Sequence, residues 1–150
     1  MGEMATISLM VDIQEGSHGI DCAADCIRRG GVAVLPTETV YGLFGRTNDA
    51  SAIAHIYALK GRPNNNPLIA HVLDQASAKT LAAEWPKSAD AICDAFWPGP
   101  LTIVVPRHPS VLPQAVGGFN SIAIRSPQHP ITRAVLAVVR EPLSGPSANR

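Results

Sequence analysis

The chain has 150 residues, 46% hydrophobic and 16% charged, which excludes a disordered polyelectrolyte and leaves too little length for two full domains. Twelve Lys and Arg balance twelve Asp and Glu, so bulk charge argues neither for nor against a nucleic-acid partner. Its distribution says more: between Asp94 and Glu141 there is no carboxylate, yet Arg107, Arg125, Arg133, Arg140, His108 and His129 lie there. A neutral chain segregated in this way can present a cationic concave face. Cys22, Cys26 and Cys93 have no metal-ligand spacing and read as buried reduced thiols. The N-terminus lacks a basic start followed by a long apolar run, and no stretch is long enough to span a bilayer, so the expectation is a cytoplasmic protein without a membrane partner.

In chain order, Ala5 to Val11 is apolar and partly β-branched and predicts a first strand. Ser17 to Arg29 predicts a helix with Ile20, Ala23, Ala24 and Ile27 on one face, stopped by Gly30-Gly31. Val32 to Leu35 is a strand-type apolar run that delivers Pro36-Thr37-Glu38-Thr39-Val40-Tyr41-Gly42 to its carboxyl end. Asn48 or Asp49 can cap the next helix, running to about Leu59 with Ile53, Ile56 and Tyr57 inward. Lys60-Gly61-Arg62-Pro63-Asn64-Asn65-Asn66-Pro67 then holds two cations between a helix end and the short strand Leu68-Ile69-Ala70, with His71 beyond it. Prolines stiffen this loop, as a fixed polyanion site requires, although a solvated loop is the plainer alternative.

Asp74 is placed to cap a helix through Ala83, and Ser88 to Phe96 predicts another that buries Ile92, Cys93 and Phe96. Trp97-Pro98-Gly99-Pro100 is a rigid turn, with Trp97 a packing anchor, feeding the strand Leu101 to Val105. Pro106 to Gly118 is loop, Ser121 to Arg125 alternates as a strand, and His129-Pro130 opens a helix with Ile131, Val135, Leu136 and Val139. Alternating strands and helices place the chain in the α/β class. If the strands run parallel enough to share an edge, the polar clusters Thr37-Glu38-Thr39, His71, Arg125-Ser126 and Ser144 to Asn149 converge with Lys60 and Arg62 on one cleft. No Ser-His-Asp order, CxxC, paired carboxylates, metal-binding His spacing, GxxxxGK[ST] or GxGxxG occurs. That composition favours seating a polyphosphate beside a carboxylate over acid–base cleavage.

Five ordered blocks carry a resemblance: Pro36-Thr37-Glu38-Thr39-Val40-Tyr41-Gly42-Leu43; Lys60-Gly61-Arg62-Pro63 with Asn66-Pro67-Leu68-Ile69 and His71; Phe96 to Thr102; Ala123-Ile124-Arg125; and Pro146-Ser147-Ala148-Asn149-Arg150. Together they resemble the YrdC/Sua5 family over about residues 31–150. The resemblance implies a twisted mixed α/β sheet with flanking helices (YrdC/RibB-like). It also implies that residues 1–150 form a single domain whose family pattern continues past Ser-Ala-Asn. The implied activity is L-threonylcarbamoyladenylate synthase: L-threonine, bicarbonate and ATP, with Mg²⁺ carried by the nucleotide and no protein-bound metal, give threonylcarbamoyl-AMP and pyrophosphate. That product feeds the tRNA threonylcarbamoyl transferase complex for threonylcarbamoyladenosine (t6A) in tRNA.

By position, the resemblance puts Thr37, Tyr41, His71 and Arg125 on threonine, Arg125 as the fork for its carboxylate. Lys60 and Arg62 fall on the phosphates as the catalytic cations, Asn66 fixes their loop, and Ser121, Ser147 and Asn149 lie on the nucleotide side. Plainer roles stand beside these: Tyr41 as core, His71 as a satisfied strand histidine, Ser147 as a turn former. Phe44-Gly45-Arg46 departs from the family pattern, and Arg46 is expected to add a cation near the cleft. The alternative is a non-catalytic module of the same shape that binds double-stranded RNA or tRNA, or an inactive fragment of the family's domain.

Overall fold

The computed structural model describes residues 16–149, so the predicted strand Ala5 to Val11 lies outside the described residues. In chain order the elements are α1 (Gly16–Arg28), β1 (Ala33–Leu35), β2 (Gly42–Arg46), α2 (Ala50–Lys60), β3 (Ile69–His71), α3 (Gln75–Lys79), α4 (Lys87–Phe96) and β4 (Thr102–Pro106). A 3-10 turn (Pro113–Val116), β5 (Ser121–Arg125), α5 (Pro130–Val139) and β6 (Leu143–Gly145) follow. The strands form one sheet in the order β1-β2-β6-β3-β5-β4. Only the β3/β5 pair is parallel; the others are antiparallel. The α/β class with a mixed sheet is as the sequence implies. A set of parallel strands sharing one carboxyl edge is not what forms.

Local chemistry explains most boundaries. Asp49 caps α2 by accepting from the amides of Ser51 and Ala52, and Gly61 ends it with φ 58°, a left-handed conformation that costs glycine little. Asp74 caps α3, but that helix ends at Lys79 instead of reaching Ala83. Beyond it the backbone pairs with the end of β4: Ala83 N–H donates to Pro106 O at 2.9 Å and His108 N–H to Leu81 O at 2.8 Å. In α4, Ala89 and Cys93 are buried, whereas Ile92 and Phe96 are exposed, contrary to the predicted inward face. Of the other thiols, Cys22 is partly exposed and Cys26 exposed, so only Cys93 matches the buried reading.

The two faces of the sheet are covered unequally. On one, Ala70, Val105, Ile122 and Ile124 meet Ile53, Ile56 and Tyr57 of α2 in the larger core, with Trp97 packed at its margin. Trp97 also donates Nε1–H to Leu101 O at 2.8 Å, the packing anchor expected of it. On the other face, α1 and α5 cover only the β1-β2-β6 half, burying Leu35, Phe44 and Leu143 against Ala24, Ile27, Val135 and Leu136. Over β3-β5-β4 that face is left open among the described residues: Val104 is 67% exposed, and β5 alternates partly exposed Ser121, Ala123 and Arg125 with buried Ile122 and Ile124.

Candidate functional site

The open half of the sheet is where the strand registers bring polar residues together. His71 pairs with Arg125, and Arg125 pairs with Thr102 on the other side, so all three lie side by side on one face, His71 buried and Arg125 and Thr102 partly exposed. Arg125 donates Nε–H to Thr102 Oγ1 at 2.9 Å. Its two terminal nitrogens have no partner among the described residues, which leaves a guanidinium fork free for an anion. Ser121 lies four residues back on the same face, roughly 13 Å away at strand rise.

His71 is buried, with its ring edge-to-face on Phe44 at 4.7 Å and Nδ1 3.0 Å from Ile69 O. Burial, and then the Arg125 charge, push its pKa down to about 4 from the ordinary 6.5, so the imidazole is neutral at physiological pH. A pKa lower in the folded chain than in the unfolded one means that the unfolded chain binds the proton first. Stability is therefore full above pH 6.5 and falls as pH drops toward 4, by about 3 kcal/mol from this group. Denaturant melts at pH 7 and 4.5, with an NMR titration of the imidazole, check this; a resonance titrating near 6.5 contradicts it.

The segment Pro36 to Tyr41 reaches across toward β5 and α5. Thr132 donates its hydroxyl to Pro36 O, and Gln128 N–H donates to Glu38 Oε2 at 3.0 Å. Thr37 folds the turn on itself: its Oγ1 donates to Val40 O and accepts from the amides of Thr39 and Val40 at 3.2 and 3.1 Å. Tyr41 is not core; it is 63% exposed. Its carbonyl accepts from Ala148 N–H at 2.7 Å, while Gly42 bridges to Ser147, so the 146–149 segment lies along the same edge. Lys60 donates Nζ–H to Asn149 O, which joins the end of α2 to that edge.

Arg62 turns onto its own loop. Nη2 donates to Asn66 Oδ1 at 2.8 Å and Pro67 O at 2.9 Å, and Tyr57 Oη donates to Asn66 O at 2.8 Å. Nη1 keeps both N–H groups without a partner among the described residues. Arg62 also lines a groove of about 700 Å³ between α2 and the 3-10 turn, with Tyr57, Asn64, Asn65, Gln114 and Gly118. The structure thus gathers Thr37, Tyr41, Lys60, Ser147 and Asn149 at one edge and His71 with Arg125 on the open face. Arg62 and Asn66 sit on the loop that leads into β3.

Three other cations have different employment from the one their positions suggest. Arg46 is no free charge near the cleft: it pairs with Asp49 at 2.8 Å and Glu141 at 3.5 Å. Arg107 and Arg133 donate to backbone carbonyls of Phe119 and Val111, and of Pro127 and Leu73. By contrast, Lys60, Arg62 and Arg125 have no carboxylate partner among the described residues. The sequence places Glu38 among the cleft's polar clusters without a role of its own, and its Oε1 is buried with no hydrogen-bond partner. Its place between two threonines in the strand-exit block was the available signal.

No helix among the described residues is long and apolar enough to cross a membrane. Threonylcarbamoyl-AMP synthase of Pyrococcus abyssi is 41% identical over 131 residues, covering 87% of this chain and 38% of the relative. The Bacillus subtilis protein of the same name is 40% identical over 128 residues, covering 85% and 37%. The crystal structure of P. abyssi Sua5 complexed with L-threonine superposes with a TM-score of 0.87 at 39% identity, covering 91% of this chain and 40% of that one. The chain therefore spans less than two-fifths of the curated relatives' length. A family model of the Sua5/YciO/YrdC type, described as "Telomere recombination", matches residues 25–150, and the chain belongs to that family.

Proposed function

We propose that the open sheet face seats an amino acid beside the phosphates of a nucleotide, and that the reaction is formation of threonylcarbamoyl-AMP from L-threonine, bicarbonate and ATP. The observation that carries this reading is the register pair His71 and Arg125: a guanidinium fork with no carboxylate partner among the described residues, beside a neutral imidazole. The likeness to a structure complexed with L-threonine supports it. In this reading Arg125 receives the amino acid's carboxylate, and Thr37 and Tyr41 wall its pocket. Lys60 and the free Nη1 of Arg62 take phosphate oxygens, Asn66 holds the Arg62 loop, and Ser121, Ser147 and Asn149 line the nucleotide side.

The chemistry needs no covalent bond to the protein. The amine of threonine adds to bicarbonate-derived carbon dioxide, losing a proton and giving a carbamate. A carbamate oxygen then attacks the α-phosphorus as pyrophosphate leaves. Two anions must be brought together in line, which is work for cations and positioning. Among the described residues no group of three or more His, Cys, Asp or Glu could hold a metal ion. Mg²⁺ belongs to this reading only as the counterion of the nucleotide's phosphates. Transfer of the product to tRNA is the downstream role.

The test is incubation of the purified chain with ATP, bicarbonate and each amino acid in turn, measuring pyrophosphate and the adenylate by mass. Pyrophosphate release that depends on threonine is expected. Release indifferent to the amino acid overturns the reading, and salt-dependent binding of double-stranded RNA without ATP consumption replaces it with the non-catalytic one.

A further inference from the structure

Glu38 is the carboxylate that the proposed site does not yet use. Its Oε2 accepts from Gln128 N–H, three residues beyond Arg125, and its Oε1 is buried without a partner. Both Glu38 and Arg125 lie close enough to the buried His71 imidazole to act on it electrostatically, in opposite directions. Yet they do not neutralise each other, since no ion pair joins them among the described residues. His71 is neutral and cannot compensate either. An orphaned carboxylate oxygen on a side chain anchored three residues past an uncommitted guanidinium is the charge pattern of a zwitterion's host. A water could satisfy Oε1 as a donor but would leave its charge uncompensated; an ammonium does both.

We infer that Glu38 is a specificity-determining residue that receives the α-ammonium of the amino-acid substrate, opposite Arg125 at its α-carboxylate. This rests on the amino-acid reading of the site given above. It adds a selection rule: the substrate must carry a free ammonium and a free carboxylate on one carbon. A 2-hydroxy acid of the same shape has no nitrogen to form a carbamate, and a site with Glu38 rejects it before it can occupy the pocket. The turn Thr39 to Tyr41 that follows Glu38 is exposed. That turn is tied down at few points, among them the Gln128–Glu38 and Ala148–Tyr41 hydrogen bonds.

Calorimetric titration of L-threonine, 2,3-dihydroxybutanoate and ATP into the wild-type chain and Glu38→Gln tests this. Glutamine keeps an oxygen to accept from Gln128 N–H, so the turn is retained and a thermal melt should move by only a few degrees. The expected result is a loss of about tenfold or more in L-threonine affinity, with the hydroxy acid and ATP changed less than about threefold. Equal threonine affinities, or a uniform loss for all three ligands, overturn the assignment of Glu38 while leaving the amino-acid site standing. Absence of threonine binding by the wild type overturns both. If Glu38→Gln fails to fold, the wild type alone must still prefer L-threonine to the hydroxy acid by about tenfold; equal binding rejects the inference.

Discussion

Replacing Arg125 by glutamine is expected to lower threonine-dependent pyrophosphate release by about 100-fold or more, roughly 3 kcal/mol of transition-state binding. The side chain spends one donor on Thr102 and keeps both terminal nitrogens free. Glutamine has neither the charge nor the planar fork that matches a carboxylate. The structural part of the loss is small, because a single hydrogen bond to Thr102 is worth about 1 kcal/mol. A melting temperature within several degrees of wild type therefore separates recognition from folding. Turnover within about threefold of wild type removes Arg125 from the site.

The second large effect concerns folding. Gly145→Ala should unfold the chain or cost more than about 3 kcal/mol. A Cβ at Gly145 would stand 2.0 Å from Leu43 O and 2.8 Å from Leu43 C, both backbone atoms of the neighbouring strand. The two nearest atoms cannot swing aside, and the next, Phe44 Cδ1 at 3.0 Å, belongs to a ring buried in the core. β6 lies between β2 and β3 near the middle of the sheet, so a displacement breaks two ladders at once. Circular dichroism melts decide it, and a variant that melts within a few degrees of wild type means that the strands can part cheaply.

Where caps and periodicity were strong, the sequence was enough. Asp49 and Asp74 mark helix starts as they should, and β5 runs over the predicted Ser121–Arg125. β2 escaped because Gly42 and Gly45 remove the side chains whose alternation would announce a strand, and because Leu43, Phe44 and Gly45 are buried on both faces. β6 is three residues long and includes a serine and a glycine, and it exists only through its partners. Strand direction depends on pairings between residues up to about a hundred positions apart, which no local pattern encodes. The site divides similarly. The resemblance indicated which residues to examine, but not that Lys60 would bond Asn149 O, that Arg62 would fasten its own loop, or that Arg46 would be paired. Those are matters of geometry, settled by which acceptor lies nearest.

The alternation along β5 has a practical consequence. Its even-numbered side chains are packed inside and its odd-numbered ones look outward, so the demands of staying folded and of choosing a ligand fall on different codons. A library randomised at 121, 123 and 125 can explore new substrates with little penalty in expression, whereas one at 122 and 124 would mostly yield unfolded protein.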